Sequence, residues 1–462
     1  MPTVTIPFGT ESIDLTLPGE TDLLRMKPVP AIADPGAAIR EALRNPIASE
    51  PLPRIIADKL KVNPNATAVV VISDHTRPVP YKGVQGILWP IIGTLVSGGV
   101  NPADITVLVG TGTHRPLVAE IESMLDPRVF SCGATIASHD CTNRTELVAV
   151  GTGSDGSEVT MNRRYVDSDI RIATGLVESH FFAGSSGGRK AICPGVVGEE
   201  VTHRFHSARS VASPQSTHLV LDGNPHHEMA MEIATMAPPD FTVNVTLTSD
   251  YRVAGVFAGE MDAAHRTATD HIRSYVEIPI EGPYEIVLTH GGYVSINHYQ
   301  AAKPALVAAQ AVSESGWMFL AAANTDLDPV GSRRYRTLLH LLRLIGPAAF
   351  ERLLFSDDWT FLPDQWEVQA WARIDANISR DRFWYFSPQC SEADYGIFPG
   401  SDGNHLLEPG RRYRGDKEDV QRSMDGFLAR ARARLAAQGN RRPRIAFLCD
   451  GPYGIVKDVS AT

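Results

Sequence analysis

The residues able to do chemistry gather in a few short segments. Ser73-Asp74-His75-Thr76-Arg77-Pro78 sets a carboxylate and a guanidinium three residues apart. A planar guanidinium there suits bidentate recognition of a carboxylate or phosphate. The other reading is a turn in which Asp74 caps the next helix and Arg77 is solvated, since aspartate caps are common. In Gly110-Thr111-Gly112-Thr113-His114-Arg115-Pro116, two glycines let the backbone approach a ligand, and an imidazole that titrates near neutrality follows on the same loop.

The richest segment runs Glu178-Ser179-His180-Phe181-Phe182-Ala183-Gly184-Ser185-Ser186-Gly187-Gly188-Arg189-Lys190. GSSGGRK fails the phosphate-binding pattern G-x4-G-K-[ST], because Arg189 stands at the second glycine and Ala191 at the Ser/Thr, so a P-loop hydrolase is disfavoured. Serine and glycine amides ahead of a helix can still bind an anion. Lys190 then lies beside it as a counter-charge or as a nucleophilic amine; otherwise the stretch is a flexible connector with a solvated Arg-Lys pair. His203 and His206, at i and i+3, share a helix face with spacing open to metal ligation or to plain surface exposure. His226-His227 is adjacent, points its rings apart and receives no role. Later in the chain Tyr299, Gln300 and Lys303 fall on one helical face, as a carboxylate clamp or a solvated surface. Asp364-Gln365-Trp366 opens an amphipathic stretch whose indole either closes a site or anchors a core.

These segments need a scaffold, and the chain supplies a repeated one. Short β-branched runs each end in a polar, glycine-bearing turn: Ala66–Ser73, Ile105–Gly110, Ile170–Gly175, Glu285–His290, Trp317–Ala323 and Arg444–Asp450. Continuous apolar runs separated by helical segments read as buried parallel strands, so the fold class is α/β, with sheets flanked by helices. Ligands bind beyond the carboxyl ends of such strands, where all six turns lie. At 462 residues two domains are expected, 1–278 and 282–462, with the boundary at Pro279, Gly282 and Pro283 and the site in a cleft between them. A long helix over 421–437 packs on the second domain or at the domain junction.

Composition narrows the function classes. Lysine plus arginine number 43 against 53 aspartate plus glutamate, a net charge of −10 that argues against a nucleic-acid partner. The longest apolar stretch, near Ile87–Val96, is too short to span a bilayer, and the opening residues carry no signal-peptide pattern. Five cysteines without CxxC spacing favour a reducing cytoplasm over a disulfide scaffold. Thirteen of fifteen histidines precede residue 300, which weights the chemistry toward the first part of the chain.

Taken in order, SDHTRPVP, GTGTHRP, ESHFFAGSSGGRKAICPG with the later His206, GGYVSINHYQAAK and DQWEVQ resemble the nickel-pincer-nucleotide lactate racemase family. The resemblance implies a racemase or epimerase that inverts C2 of a lactate-like 2-hydroxy acid by reversible hydride transfer to a nickel-pincer nucleotide. It implies that Lys190 carries the cofactor, that His206 is the protein ligand to nickel, and that His114 and His180 are paired acid/bases. Asp74 and the loop Ser185, Ser186, Gly187 and Gly188 then lie at the cofactor, while Arg77, Tyr299, Gln300, Lys303 and Trp366 hold the substrate. Enzymes that assemble the cofactor are the implied partners. Two other readings remain open: a metal-free two-base epimerase or dehydratase, and a non-catalytic organic-anion binding protein.

Overall fold

The computed structural model describes residues 1–117 and 120–460. The chain divides into two compact units, Pro28–His206 with Ser213–Tyr275, and Met1–Lys27 with Ser207–Ala212 and Val276–Thr462. Both are α/β, each with a six-stranded, mostly parallel sheet flanked by helices.

In the first unit the strand order is Val253–Gly259, Phe241–Leu247, Ile170–Leu176, Ala68–Ser73, Ile105–Gly110, Thr135–Ser138. Only the edge strand Val253–Gly259 runs antiparallel to its neighbour. The central runs AVVVIS, ITVLVG and IRIATGL are buried almost throughout, as a sheet covered on both faces requires. Val70, Ile72, Ile172 and Val243 pack with Ile39, Leu88 and Ile91 on one side. Val69, Val71, Leu108 and Ala173 meet Ile192, Val196 and Ile233 on the other.

The chain reaches Ala68–Ser73 first and then lays one later strand on each side of it. Ser73 pairs with Gly110, and Val71 with Ala173, so three strand ends lie side by side at a topological switch point. Binding sites in α/β sheets form at such points.

The second unit orders its parallel strands Ser401–Asp402, Phe383–Phe386, Val312–Ala321, Tyr284–His290, Ile445–Leu448, Thr21–Leu24. Here the structure departs from the expected 1–278 domain, because residues 1–27 belong to this unit. The physical reason lies in their pattern. Val4, Ile6 and Phe8 alternate into this unit's core, and Leu23 pairs opposite Phe447. Ser207–Ala212 also belongs to it, held where Gln369 Nε2 donates to Ala208 O at 2.9 Å. The helix expected over 421–437 spans Asp419–Ala437 and buries Met424, Phe427, Leu428 and Ala431 in the same core. Among the described residues no helix is long and apolar enough to cross a membrane.

Ile172, fully buried at the centre of the first sheet, tests this core. Ile172→Ala should lower unfolding free energy by about 2–5 kcal/mol in urea titration; a loss within the noise of the method would contradict the packing described.

Candidate active site at the switch point

Asp74 follows one of the switch-point strands and His114 follows its neighbour, which brings Asp74 Oδ2 to 2.6 Å from His114 Nδ1. The other carboxylate oxygen accepts from Thr76 N at 3.1 Å and Thr76 Oγ1 at 2.6 Å. Burial opposes the charge of Asp74, but hydrogen bonding and the charge of His114, then Thr76 and Arg77, outweigh it and hold the carboxyl at about 2. An ionised carboxylate only accepts, so Nδ1 of His114 carries a hydrogen toward it, and in the neutral form of the ring Nε2 keeps the lone pair. Asp74 is thus more than a turn cap. Arg77 faces Glu178, with Nε 3.7 Å from Oε1.

His180 begins the segment beyond Ile170–Leu176. Its Nδ1 accepts the amide hydrogens of Phe182 and Ala183, both at 3.2 Å. With Nδ1 so occupied, Nε2 carries the ring hydrogen in the neutral form; it lies 3.1 Å from Lys190 Nζ, which accepts that hydrogen only as the unprotonated amine. The ring stacks on Phe181, centroids 5.0 Å apart, and Lys190 Nζ sits 5.3 Å from the centroid of Phe205.

The serine/glycine loop uses its donors inside the protein. Ser185 N, Ser186 N and Gly188 N donate to Ala183 O, Glu178 O and Asn244 Oδ1, each at 2.9 Å. Ser185 Oγ pairs with His265 Nε2 and Thr269 Oγ1, while Ser186 Oγ donates to Leu176 O and accepts from Glu178 N. The amide cradle expected for an anion is not what these three N–H groups form; the loop is instead a rigid mount. Gly188, at φ +52°, must be glycine, because a Cβ would stand 2.7 Å from the His265 ring. Arg189 is no solvated neighbour of Lys190: it is fully buried and donates to Ser185 O (2.9 Å), Ala183 O (2.6 Å) and His265 Nε2 (2.7 Å). Locking Arg189 inward turns Lys190 toward His180.

His206 ends the short helix Glu199–Phe205, with Nδ1 3.0 Å from Thr202 O. Burial, reinforced by the positive charge of Lys190, pushes its pKa down to about 3, so the ring is neutral. His203 has its Nε2 3.6 Å from Glu199 Oε1 and lies close enough to His206 for its charge to act there. Among the described residues no group of three or more His, Cys, Asp or Glu could hold a metal. His226, given no role from its sequence, packs beside this histidine: fully buried, stacked on Phe182 at 5.5 Å and 6.4 Å from the His206 ring. Only tertiary packing reveals it.

In the second unit, Tyr299, Gln300 and Lys303 lie on the helix His298–Ala309, whose cap Asn297 accepts from Gln300 N. His298 anchors the first turn, stacked between Trp371 (4.5 Å) and Phe398 (3.8 Å) with Nδ1 2.8 Å from Tyr335 Oη. Gln300 Oε1 is buried without a hydrogen-bond partner among the described residues, as an atom reserved for a ligand would be. Trp366 hydrogen-bonds Tyr299, whose phenol is raised far above its ordinary value by burial and by Glu367. The stretch beyond Asp364 is not amphipathic, because the helix Gln365–Asn377 is buried on most sides. That burial hides Glu367 from any periodicity argument. It is 2% exposed, and desolvation pushes its pKa up to about 8 against the opposing charge of Lys303.

Folded protein thus holds the Glu367 proton after the unfolded chain has released it, so stability falls as pH rises from about 4.5 to about 8. Glu367→Gln should raise the thermal midpoint at pH 8 and leave it nearly unchanged at pH 5. Equal shifts at both values, measured by differential scanning calorimetry, would contradict this.

Residues 8–218 match the family model described as the lactate racemase N-terminal domain. A lactate racemase of Lactiplantibacillus plantarum is 31% identical over 339 residues, covering 73% of this chain and 76% of that protein. One from Thermoanaerobacterium thermosaccharolyticum is 28% identical over 384 residues, covering 82% and 87%. The solved lactate racemase apoprotein of T. thermosaccharolyticum shares the fold with a TM-score of 0.83 at 24% identity, covering 99% of this chain and 100% of that one. Three strand ends that meet at one switch point, the matching domain model and 31% identity to a lactate racemase over about three quarters of both chains lead to one conclusion: the chain belongs to the lactate racemase family.

Proposed function

We propose that this protein inverts C2 of a lactate-like 2-hydroxy acid, using two histidine acid/bases and a nickel-pincer nucleotide carried on Lys190. The observation that carries the reading is the opposite wiring of the two imidazoles. Asp74 takes the Nδ1 hydrogen of His114, which leaves Nε2 as a base. Backbone amides occupy Nδ1 of His180, which leaves a hydrogen on Nε2. Inversion through a planar keto acid needs one group to remove the hydroxyl proton and another to return it on the opposite face, so one imidazole must be proton-poor where the other is proton-bearing. In the reverse direction the roles exchange.

The residues fit the cofactor that the resemblance implies. His206 is neutral, and the bond from Nδ1 to Thr202 O leaves Nε2 as the donor atom, as metal-binding histidines require. Lys190 lies beside Phe205 and His206 in one cluster, so an amine linkage and a metal ligand are available together. When bound, the nucleotide supplies an electron sink that takes up and returns the C2 hydrogen, which no side chain provides. Arg77 in the first unit offers a guanidinium to the substrate carboxylate; the resemblance gives Lys303, Gln300, Tyr299 and Trp366 of the second unit as further substrate contacts, and the unpartnered Gln300 Oε1 supports that reading. Asp74 acts through His114. Enzymes that build the nucleotide are the partners, and the five unpaired cysteines support a reducing cytoplasm as the compartment.

Protein made alongside the cofactor-assembly enzymes should carry nickel and a mass increment, lose both the increment and activity in Lys190→Ala, and interconvert D- and L-lactate. Nickel-free protein of full activity would contradict the assignment. Asp74→Asn should keep the increment yet lower kcat by about 10²-fold, because the imidazole loses its oriented tautomer; an unchanged kcat would mean that Asp74 does not orient His114 for proton transfer.

A further inference from the structure

The guanidinium of Arg77 has a partner that no motif reading assigned. Glu178 Oε1 stands 3.7 Å from Arg77 Nε, and both side chains are only about a quarter exposed, at 25% and 24%. The backbone of Glu178 is held on both sides of its peptide. Its N–H donates to Ser186 Oγ at 3.0 Å, and its carbonyl accepts from Ser186 N at 2.9 Å. Ser186 in turn is tied to the strand end by its hydroxyl donating to Leu176 O at 2.7 Å. Asp74 is also close enough to Arg77 for their charges to be felt. Both of its oxygens are engaged by Thr76 and His114 rather than by the guanidinium.

We propose that Glu178 is a positioning and specificity residue that steadies Arg77 by its Nε edge, leaves the two Nη groups for a substrate carboxylate, and selects 2-hydroxy monocarboxylates over dicarboxylates. This rests on the racemase reading above and deepens it. An arginine approached at Nε keeps its end-on fork open, the geometry that binds a second carboxylate through two parallel hydrogen bonds. Two carboxylates then stand near one guanidinium. One further anion can be accommodated on the open fork, whereas a substrate bearing a second carboxylate sets that charge against Glu178 and Asp74, and like-charge juxtaposition is costly in a partly buried site.

The test uses cofactor-loaded enzyme, with L-lactate and L-malate as probes. Glu178→Gln keeps the oxygen and shape but removes the charge, so it should raise kcat/KM for malate relative to lactate by about five- to tenfold. Glu178→Ala releases Arg77 and should raise KM for lactate about tenfold with kcat nearly unchanged, the signature of lost ground-state positioning. Unchanged KM in the alanine variant together with unchanged malate selectivity in the glutamine variant would overturn the proposal. So would equal loss of kcat in both, with KM unaltered. Failure of loaded wild-type protein to interconvert any 2-hydroxy acid would instead remove the racemase reading on which this rests, so the two failures are distinct.

Discussion

The contact between Asp74 and His114 depends on two strand ends being neighbours, and much of the first unit exists to keep them so. A buried carboxylate is costly unless hydrogen bonds surround it. Asp74 obtains three, from Thr76 N, Thr76 Oγ1 and His114 Nδ1, and it remains ionised despite its burial. The parallel register that sets Ser73 against Gly110 delivers both loops to the same place. A shift of that register would separate carboxylate and imidazole and leave a buried charge without its principal partner.

The loop that carries Lys190 solves a related problem by different means. Arg189 and Lys190 are consecutive cations, yet one is clamped to carbonyls inside the protein and the other faces His180. The two directions follow from a tight turn entered through Gly187 and Gly188, both at positive φ. His265, kept neutral by burial and by the guanidinium beside it, accepts from Arg189 without adding charge. Rigid mounting of this kind holds the Lys190 amine in one orientation.

Much of this is legible in the amino-acid sequence. Buried parallel strands announce themselves as short apolar runs, and the run Ile105–Gly110 matches its observed strand residue for residue. Polar turns at their carboxyl ends mark where Asp74, His114 and His180 stand. The N-terminal 27 residues escape the expected division because nearness in the chain points to the first unit, whereas the period-two alternation of Thr3–Phe8 serves the core of the other. Ser185 and Ser186 look like anion donors because their types are right, but the direction of a hydroxyl or an amide is decided by neighbours far away in sequence, such as Thr269. Glu178, His226 and Glu367 leave no local signal. Each owes its environment to packing: an arginine from another loop, stacked aromatic rings, or a helix buried on most of its faces.

Under the proposed mechanism the C2 hydrogen is taken up and returned by the nucleotide, so it never becomes a solvent proton, whereas two-base proton abstraction by the same imidazoles would exchange it. The most direct measurement is racemisation of L-lactate in deuterated water by the cofactor-loaded enzyme, with deuterium at C2 read by NMR as D-lactate accumulates. The account predicts D-lactate that retains its original C2 hydrogen. Incorporation of solvent deuterium at C2 in step with inversion would contradict it and point to simple proton abstraction by the same histidines.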